Sequence, residues 1–159
     1  MTIKFISSVL FVKDIPASRR FYEELLGQQV DMDLGANVGY VGGLAIWEIG
    51  SASEMIFHRQ AEGVERLGHD NFEAYFETEE LDAIAERLSA AGVTVVHPIY
   101  EQPWGQRALR VYDPDCHIVE ISEPMHFVVK RFAAQGLTTE QIQQRTMMPQ
   151  PVIDLILAG

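Results

Sequence analysis

Apolar and polar residues alternate along the first sixty residues in a pattern that predicts one helix among four strands. A helix is predicted from the N-cap Asp14, with Pro16 in its first turn, to a stop at Gly27, because Ala17, Phe21 and Leu25 recur at helical spacing. Strands are predicted over residues 3–12, 28–34, within 35–43 and 44–49.

A second block repeats this order of elements. Thr78 is a predicted helix cap and Gly92 a predicted helix end, and Pro98 to Gly105 is a predicted loop. Strands are predicted over 72–78, 93–96, 106–112 and 117–122. The two helices align at an offset of 66 residues, since Ile15-Pro16-Ala17 matches Leu81-Asp82-Ala83. This internal repeat predicts a βαβββ module used twice, with two modules side by side able to curve around a shared cleft.

After Pro124 the pattern becomes purely helical. One helix is predicted from Met125 to Gly136, a capping box at Thr138–Gln141 opens a second, and residues 152–157 suit a third. We therefore divide the chain into a domain over 1–123, with modules 1–60 and 69–123, and a helical extension over 124–159. The extension resembles a helix-turn-helix, but its only basic residues are Lys130, Arg131 and Arg145, which favours packing over DNA binding.

The extension carries many apolar residues whose exposure would be costly, so we expect it to dock on its own domain or on a partner subunit. These residues are Met125, Val128, Val129, Phe132, Ile142, Met147, Met148, Val152, Ile153, Leu155, Ile156 and Leu157.

Charge and composition narrow the function classes. The net charge is −11, and residues 61–123 carry most of it, with four basic and fourteen acidic side chains. Such a chain does not hold nucleic acid or an anionic membrane by bulk charge. A single cysteine, Cys116, excludes an intrachain disulfide. The sequence has no apolar run long enough to predict a membrane span, so we expect a cytoplasmic protein.

Two motifs carry a family resemblance. Val12-Lys13-Asp14 precedes the segment 21–27, and Asp113-Pro114-Asp115 precedes the strand segment 118–121. This pattern resembles the vicinal-oxygen-chelate superfamily, which includes glyoxalase I, extradiol dioxygenases, fosfomycin-resistance enzymes and bleomycin-binding proteins. The resemblance implies an α+β fold, with two βαβββ modules in a cupped eight-stranded mixed sheet, and it implies a homodimer that binds a small molecule.

The resemblance also implies a ligand set on the first and last strand of each module. It places these positions at Ser7, Glu48, Glu73 and Glu120, with Glu48, Glu73 and Glu120 as metal ligands and Glu73 and Glu120 as catalytic residues. The repeat supports the correspondence, since Ser7 and Glu73 are 66 residues apart. Alternation between apolar neighbours is expected to turn Glu48 and Glu120 away from the packed side of their strands.

The chemistry of this set depends on whether a metal is present. An all-oxygen set favours Mn²⁺ or Mg²⁺ over Zn²⁺. Without a metal, three carboxylates in one cleft repel, and one is expected to hold a proton near neutral pH. The alternative is that Glu48 and Glu73 are solvated strand residues.

Further residues are candidates for substrate binding. Trp104 lies in a predicted loop, where it either stacks on a substrate or packs under the loop. Strand alternation puts Arg110 and Tyr112 on the face opposite the apolar Leu109, and Ser7 completes this set. Cys116 stands where the turn of this family usually has glycine, so a strained or changed turn is expected there.

Three functions follow as hypotheses. The first is a lyase or isomerase-type enzyme acting on a small oxygenated molecule, with a metal polarising a carbonyl or stabilising an enediolate-type anion. The alternative is a non-catalytic protein that binds a small antibiotic-type molecule. The third hypothesis is a ligand-sensing regulator that uses the helical extension.

Overall fold

A computed structural model describes residues 2–61, 63 and 65–159 of the chain. The chain forms two compact units. The first comprises Met1–Glu73 with Tyr112–Ile118, and the second comprises Ala74–Val111 with Val119–Gly159. The helical extension after Pro124 therefore belongs to the same unit as most of the second module.

In the part of the chain that the structure describes, eight strands form two four-stranded sheets. The strands are β1 (Ser8–Val12), β2 (Val30–Asp33), β3 (Asn37–Tyr40), β4 (Leu44–Glu48), β5 (Glu73–Glu77), β6 (Val95–Glu101), β7 (Arg107–Tyr112) and β8 (Ile118–Ser122). Their orders are β1-β4-β3-β2 and β5-β8-β7-β6. In the first sheet β1 and β4 are parallel and the other neighbours are antiparallel. The predicted eight strands are thus present as two mixed sheets of four.

Six α-helices among the described residues accompany the sheets. They are α1 (Ile15–Arg19), α2 (Ile49–Phe57), α3 (Leu81–Ala90), α4 (Met125–Ala134), α5 (Thr139–Thr146) and α6 (Gln150–Ala158). With α1 between β1 and β2, and α3 between β5 and β6, each module has the order βαβββ. This α+β fold, with its C-terminal helices, confirms the predicted architecture.

The predicted caps are present at two helix starts. The Asp14 carboxylate accepts a hydrogen bond from the Ala17 amide at 2.8 Å, and Pro16 lies in the first turn of α1. At α5, Thr138 and Gln141 form the reciprocal capping box. The first helix departs from the prediction after Arg19, because residues Arg20–Leu25 continue it as a π-helix.

Two elements differ from the sequence-based expectation. Strand β6 runs through Pro98 to Glu101, where a loop was predicted, and its pairing with β7 has register shifts on both sides of His97. β6 is the edge strand of its sheet, and an edge tolerates proline because one side of the strand needs no ladder hydrogen bonds. Helix α2 has no counterpart in the prediction, which ends a strand at residue 49 and assigns no element to residues 50–57.

The turn between β7 and β8 is fixed by buried carboxylates of the first unit. The Asp113 carboxylate accepts hydrogen bonds from the amides of Asp115 and His117 and, at 2.9 Å, from the buried Tyr22 hydroxyl. Cys116 adopts φ 68°, in the left-handed region that favours glycine, so the turn is kept despite the missing glycine. An added Cβ on Gly68 would lie 1.8 Å from the Cys116 carbonyl oxygen, so Gly68 is required at this contact.

Buried tyrosines make the first unit sensitive to alkali. Burial and the Asp113 charge raise the pKa of Tyr22 well above its ordinary value of 10.0, and burial beside Glu23 raises the pKa of Tyr40 in the same direction. A raised folded-state pKa means that the stabilisation is complete below pH 10.0 and is lost above it, because the unfolded chain releases these protons first. We expect urea-unfolding free energies to fall as pH rises above 10.0, and Tyr22→Phe to flatten that slope. Tyrosinate absorbance that titrates with an ordinary midpoint in folded protein would contradict this.

The helical extension packs on itself and on the strands of the second unit. Val128, Val129, Phe132, Ile142 and Ile153 form a buried cluster that joins α4, α5 and α6. This confirms that the extension docks on its own chain. The docking leaves some of the extension's apolar residues in solvent, since Met147 is 86% exposed and Leu155 is 75% exposed. Met147 is the C-cap of α5, and its left-handed backbone conformation ends the helix.

A buried carboxylate anchors α4 to the sheet of the second unit. Glu123 follows β8 and is 1% exposed. Its oxygens pair with Arg131 of α4 at 2.8 Å and with Arg107 of β7 at 3.2 Å. Arg131 also donates to the Gly105 carbonyl at 2.6 Å. The extension is thus tied by charge to the acidic part of the chain.

Gly105 provides a steric test of this docking. A Cβ built on Gly105 would lie 2.1 Å from Cζ of Phe132, and the residue has φ 87°. We expect Gly105→Ala to lower the free energy of unfolding by about 2–5 kcal/mol, which combines overpacking with backbone strain. Gly136 is a matched control, because it also has φ 87° but no atom within 4 Å of its Cβ position.

Gly136→Ala should cost only the backbone strain of about 1–2 kcal/mol. Chemical denaturation of both variants checks the difference. Equal losses for the two would show that Phe132 yields freely and that the contact does not hold α4 in place.

Candidate functional site

Glu120 lies at the centre of a polar cluster in the second unit. It occupies the middle of β8, which lies between β5 and β7, and it is 5% exposed. One of its carboxylate oxygens accepts a hydrogen bond from Ser122 Oγ at 2.6 Å, and the other pairs with Arg110 of β7. Val119 and Ile121, which alternate with these residues, are buried hydrophobics. The sequence prediction that alternation separates Glu120 from the apolar side is consistent with these contacts.

Arg110 links Glu120 to a histidine on the edge strand. His97 pairs with Arg110 in the β6–β7 register, and Arg110 Nη1 lies 3.1 Å from His97 Nε2. Since a guanidinium only donates, His97 Nε2 is the acceptor, and Nδ1, which lies 2.8 Å from the Pro98 carbonyl oxygen, donates to that oxygen. His97 therefore connects the Arg110 guanidinium to the edge strand.

Gln106 positions two aromatic side chains through hydrogen bonds of its amide group. Its amide group donates to the Tyr75 hydroxyl at 2.9 Å and to the Glu123 carbonyl at 2.7 Å, and its amide oxygen accepts from Trp104 Nε1 at 2.9 Å. Gln106 is itself buried, whereas Trp104 and Tyr75 are exposed. Two ring faces are therefore held towards solvent by one buried amide.

Tyr75 keeps its proton at neutral pH. Its hydroxyl donates to Glu77 at 2.8 Å. Partial burial, followed by this hydrogen bond, raises the pKa of Tyr75 to about 12, and the Glu120 charge acts in the same direction. Tyr75 is therefore a hydrogen-bonding phenol and an aromatic surface, and it is not a base at neutral pH.

Glu48 has a structural role in the first unit. Its two carboxylate oxygens accept hydrogen bonds from the amides of Gly50 and Ser51, each at 2.7 Å, so that it is the N-cap of α2. The register pairs Glu48 with the fully buried Val12 and pairs Trp47 with Phe11. Neighbours in register share a face, so Glu48 lies on the packed side of the sheet, which differs from the expected outward placement.

The other predicted residues are divided between the units. Glu73 opens β5 and is exposed. Ser7 precedes β1 and is half-buried. Tyr112 donates to the Asp70 carboxylate at 2.8 Å, and the Arg66 guanidinium lies 5.2 Å from its ring centre. Of the predicted substrate-binding set, Trp104 and Arg110 belong to the second unit, and Ser7 and Tyr112 belong to the first.

The predicted metal ligands do not fit a divalent cation in this arrangement. Both oxygens of Glu48 cap α2, and both oxygens of Glu120 accept hydrogen bonds from Arg110 and Ser122. A cation would have to displace these donors, and Arg110 would repel it. Within residues 2–61, 63 and 65–159, no three His, Cys, Asp or Glu side chains form a group that could hold a metal ion. The preference for Mn²⁺ or Mg²⁺ stays a prediction.

Comparison with protein families identifies the fold. The family described as "Glyoxalase-like domain" matches residues 5–126, which is most of the chain and includes both modules. The chain belongs to the glyoxalase-like family. The match covers both motifs that suggested the vicinal-oxygen-chelate superfamily, and that resemblance is confirmed. It ends near Met125, at the start of the helical extension.

Solved structures support the same assignment for the glyoxalase-like chain. A protein of unknown function from Agrobacterium tumefaciens is 36% identical, with a TM-score of 0.72 over 78% of this chain and 96% of that chain. A glyoxalase-related enzyme from Fulvimarina pelagi is 26% identical, with a TM-score of 0.63 over 77% of this chain and 88% of that one.

A glyoxalase/bleomycin resistance protein/dioxygenase from Nocardioides shares the fold, at 22% identity and a TM-score of 0.58 over 77% of this chain and 84% of that one. No curated protein shows significant similarity to the chain. None of the helices in the part of the chain that the structure describes has the length and apolar character needed to cross a bilayer.

Sequence reasoning missed four residues of the polar cluster, namely Tyr75, His97, Gln106 and Ser122. Alternation offers a signal for two of them, because Tyr75 is two residues from Glu73 and Ser122 is two residues from Glu120. His97 was hidden because β6 was expected to end at Val96. Gln106 was read only as the start of a strand, and nothing in its neighbours shows that its amide is buried.

Proposed function

We propose that this glyoxalase-like chain binds a small oxygenated or aromatic molecule at the polar cluster of its second unit, and that it does so without a resident metal. The observation that supports a binding protein is that two of the three carboxylates expected to bind a metal are already engaged by groups of the protein. Glu120 forms an ion pair with Arg110 and accepts a hydrogen bond from Ser122, and Glu48 caps a helix.

The cluster has the composition of a small-molecule site. Trp104 and Tyr75 offer exposed ring faces fixed by Gln106, and Arg110 offers a cation that is only 26% exposed. Rigid aromatic surfaces supply contact area, while a few placed polar groups orient the ligand. A molecule with a flat apolar body and an acceptor oxygen matches these groups.

A second function, a lyase or isomerase-type enzyme, is favoured by a different observation. A relative 26% identical to this chain is named a glyoxalase-related enzyme. In such an enzyme Glu120 would exchange a proton with the substrate, and Arg110 would have to move from its carboxylate for this to occur. Glu73, exposed at the start of β5, is the second candidate proton-transfer group.

Ligand screening separates the two functions. Thermal-shift screening of small oxygenated and aromatic compounds, followed by calorimetry of each hit, should give ligands whose affinity falls in Trp104→Ala and Tyr75→Phe. Tyr100→Phe is the matched control, because Tyr100 is also an exposed tyrosine of this unit. Mass spectrometry of the bound compound then decides, since an unchanged ligand supports a binding protein and a converted ligand supports an enzyme.

Metal dependence has its own test. Because Glu48 and Glu120 are engaged, we expect chelator-treated protein to melt at the same temperature with Mn²⁺, Mg²⁺, Ni²⁺ and Zn²⁺. Glu73→His adds a nitrogen donor, which would shift a real site towards Ni²⁺ or Zn²⁺. Stabilisation of the wild type by Mn²⁺ or Mg²⁺, with this shift in the variant, would contradict the metal-free proposal and support a metal-dependent enzyme.

We further propose that the chain forms a homodimer, as the family resemblance implies. The residues before β1 carry exposed apolar side chains, with Ile3 at 96% and Phe5 at 76% exposure. Exposed apolar residues of this kind mark an association surface when they are contiguous. Light scattering of the wild type and of Phe5→Ser tests the assembly, and a monomeric wild type would overturn it.

A further inference from the structure

A cavity of about 560 Å³ in the first unit lies outside the polar cluster already described. Helix α2 and the segment after it form most of its lining, together with Phe11 of β1. Its volume falls within the range of small-molecule sites, about 300–1,000 Å³.

The cavity is lined by both apolar and polar side chains. Phe11, Ile49 and Phe57 line it with apolar surface, while Ser53, Arg59 and Gln60 supply the polar groups. Phe57 is 54% exposed although it lies beside the cavity, so its ring is accessible to a ligand. The Phe11 ring is supported from behind by Trp47, whose ring lies edge-on with centroids 6.4 Å apart.

Arg59 gives the cavity a defined charge preference. Its guanidinium carbon lies 5.5 Å from the centre of the Phe57 ring. Among the described residues, no carboxylate pairs with Arg59. The N–H groups of a guanidinium point outward in its own plane. A guanidinium that lies against an aromatic ring can therefore still pair with a carboxylate through these groups.

Chain geometry brings Arg59 to this position. Glu48 caps the start of α2, and His58 ends it in the left-handed conformation, with φ 54°. The left-handed residue turns the chain directly after the helix, so Arg59, Gln60 and Ala61 line the same cavity as Ile49 and Ser53. Both ends of α2 are thus fixed by local interactions.

We propose that this cavity is a binding site for a small aromatic carboxylate, whose ring contacts Phe11 and Phe57 and whose carboxylate pairs with Arg59. A neutral ring of the same size would keep the apolar contact but lose the ion pair. The carboxylate in such a complex is partly exposed, so its binding should weaken as the salt concentration rises.

Benzoate and its neutral analogue benzamide are suitable probes. The chain has two tryptophans, so the Trp104→Phe variant leaves Trp47, which contacts Phe11, as the single reporter. In this background we expect benzoate to change Trp47 fluorescence in a saturable way, and benzamide to bind about tenfold more weakly. Using Trp47 keeps this test independent of the polar cluster of the second unit.

Arg59→Gln tests the ion pair against a matched control. It should weaken benzoate binding about tenfold and leave benzamide binding unchanged. Arg20→Gln is the control, because Arg20 is an exposed arginine of the same unit whose only ion pair in the described chain is a loose one with Glu24 at 3.9 Å. It should leave both affinities unchanged.

Three outcomes would overturn the proposal. They are no saturable response of Trp47 to benzoate, equal affinity for benzoate in wild type and Arg59→Gln, or an equal loss in Arg20→Gln. A benzoate response in the Trp104→Phe background would stand even if no ligand were found for the second unit, so the two proposals fail separately.

Discussion

Replacing Glu123 with alanine should lower the free energy of unfolding by about 3–5 kcal/mol, which is the cost of breaking a buried ion pair by removing one partner. Glu123 is 1% exposed and receives Arg107 and Arg131 on its two oxygens. The variant leaves two guanidinium groups at a site from which water is largely excluded. The backbone carbonyl of Glu123, which accepts a hydrogen bond from Gln106, is retained in the variant, so the expected loss reports on the carboxylate.

Glu101→Gln is the control for this effect. Glu101 pairs with Arg131 and Arg145, but its side chain is 38% exposed, and an exposed pair contributes about 0–1 kcal/mol. Urea unfolding followed by circular dichroism measures both variants. If Glu123→Ala costs no more than Glu101→Gln, the buried carboxylate does not anchor α4, and another contact must hold the extension.

The sequence predicted most of the fold because the deciding signals are local. Asp14 and the Thr138–Gln141 capping box mark helix starts through side chains that reach their own backbone. The repeated module was visible because each helix ends near a glycine, and Gly27 and Gly92 both have positive φ in the structure. These features need no knowledge of distant contacts.

The elements that the sequence did not predict, β6 beyond Val96 and helix α2, depend on their surroundings in the fold. Pro98 reads as a strand breaker, yet it lies in an edge strand, where the lost donor faces no partner strand. Helix α2 has glycine and serine in its first turn, and its N-cap is a glutamate, a residue that is rarely used there. The same glutamate alternates with Trp47 in a way that suits a strand, so local pattern could not separate the two roles of Glu48.

The candidate site shows the same division. Arg110 and Glu120 could be predicted from alternation on β7 and β8, and the structure pairs them. Whether each of these charged groups is available to a substrate depends on its neighbour on the adjacent strand. That neighbour is known only once the strand register is known. Gln106 is the clearest case, because its role comes from contacts to residues 31 positions before it and 17 after it.

Removing residues 125–159 should destabilise the rest of the chain and cause aggregation. The truncation takes Arg131 away from the buried Glu123 and takes Phe132 away from Gly105. Glu123 would keep only Arg107 as a charged partner, and an incompletely paired buried carboxylate costs about 3 kcal/mol or more. Thermal melting and light scattering of the truncated chain should show a lower melting temperature and larger particles.

A second truncation separates the contribution of the Glu123–Arg131 ion pair from that of the buried apolar cluster. Deleting residues 135–159 retains Arg131 and Phe132 in α4 but removes Ile142 and Ile153, which complete the buried cluster. Because each fully buried side chain of this type is worth about 1.5–3 kcal/mol, the exposed face of α4 should drive association of this variant even though the Glu123 pair is intact. A shorter chain that keeps its melting temperature and its particle size in both truncations would show that α4–α6 contribute nothing to the second unit. The contacts of Arg131 and Phe132 would then be consequences of docking and not its cause.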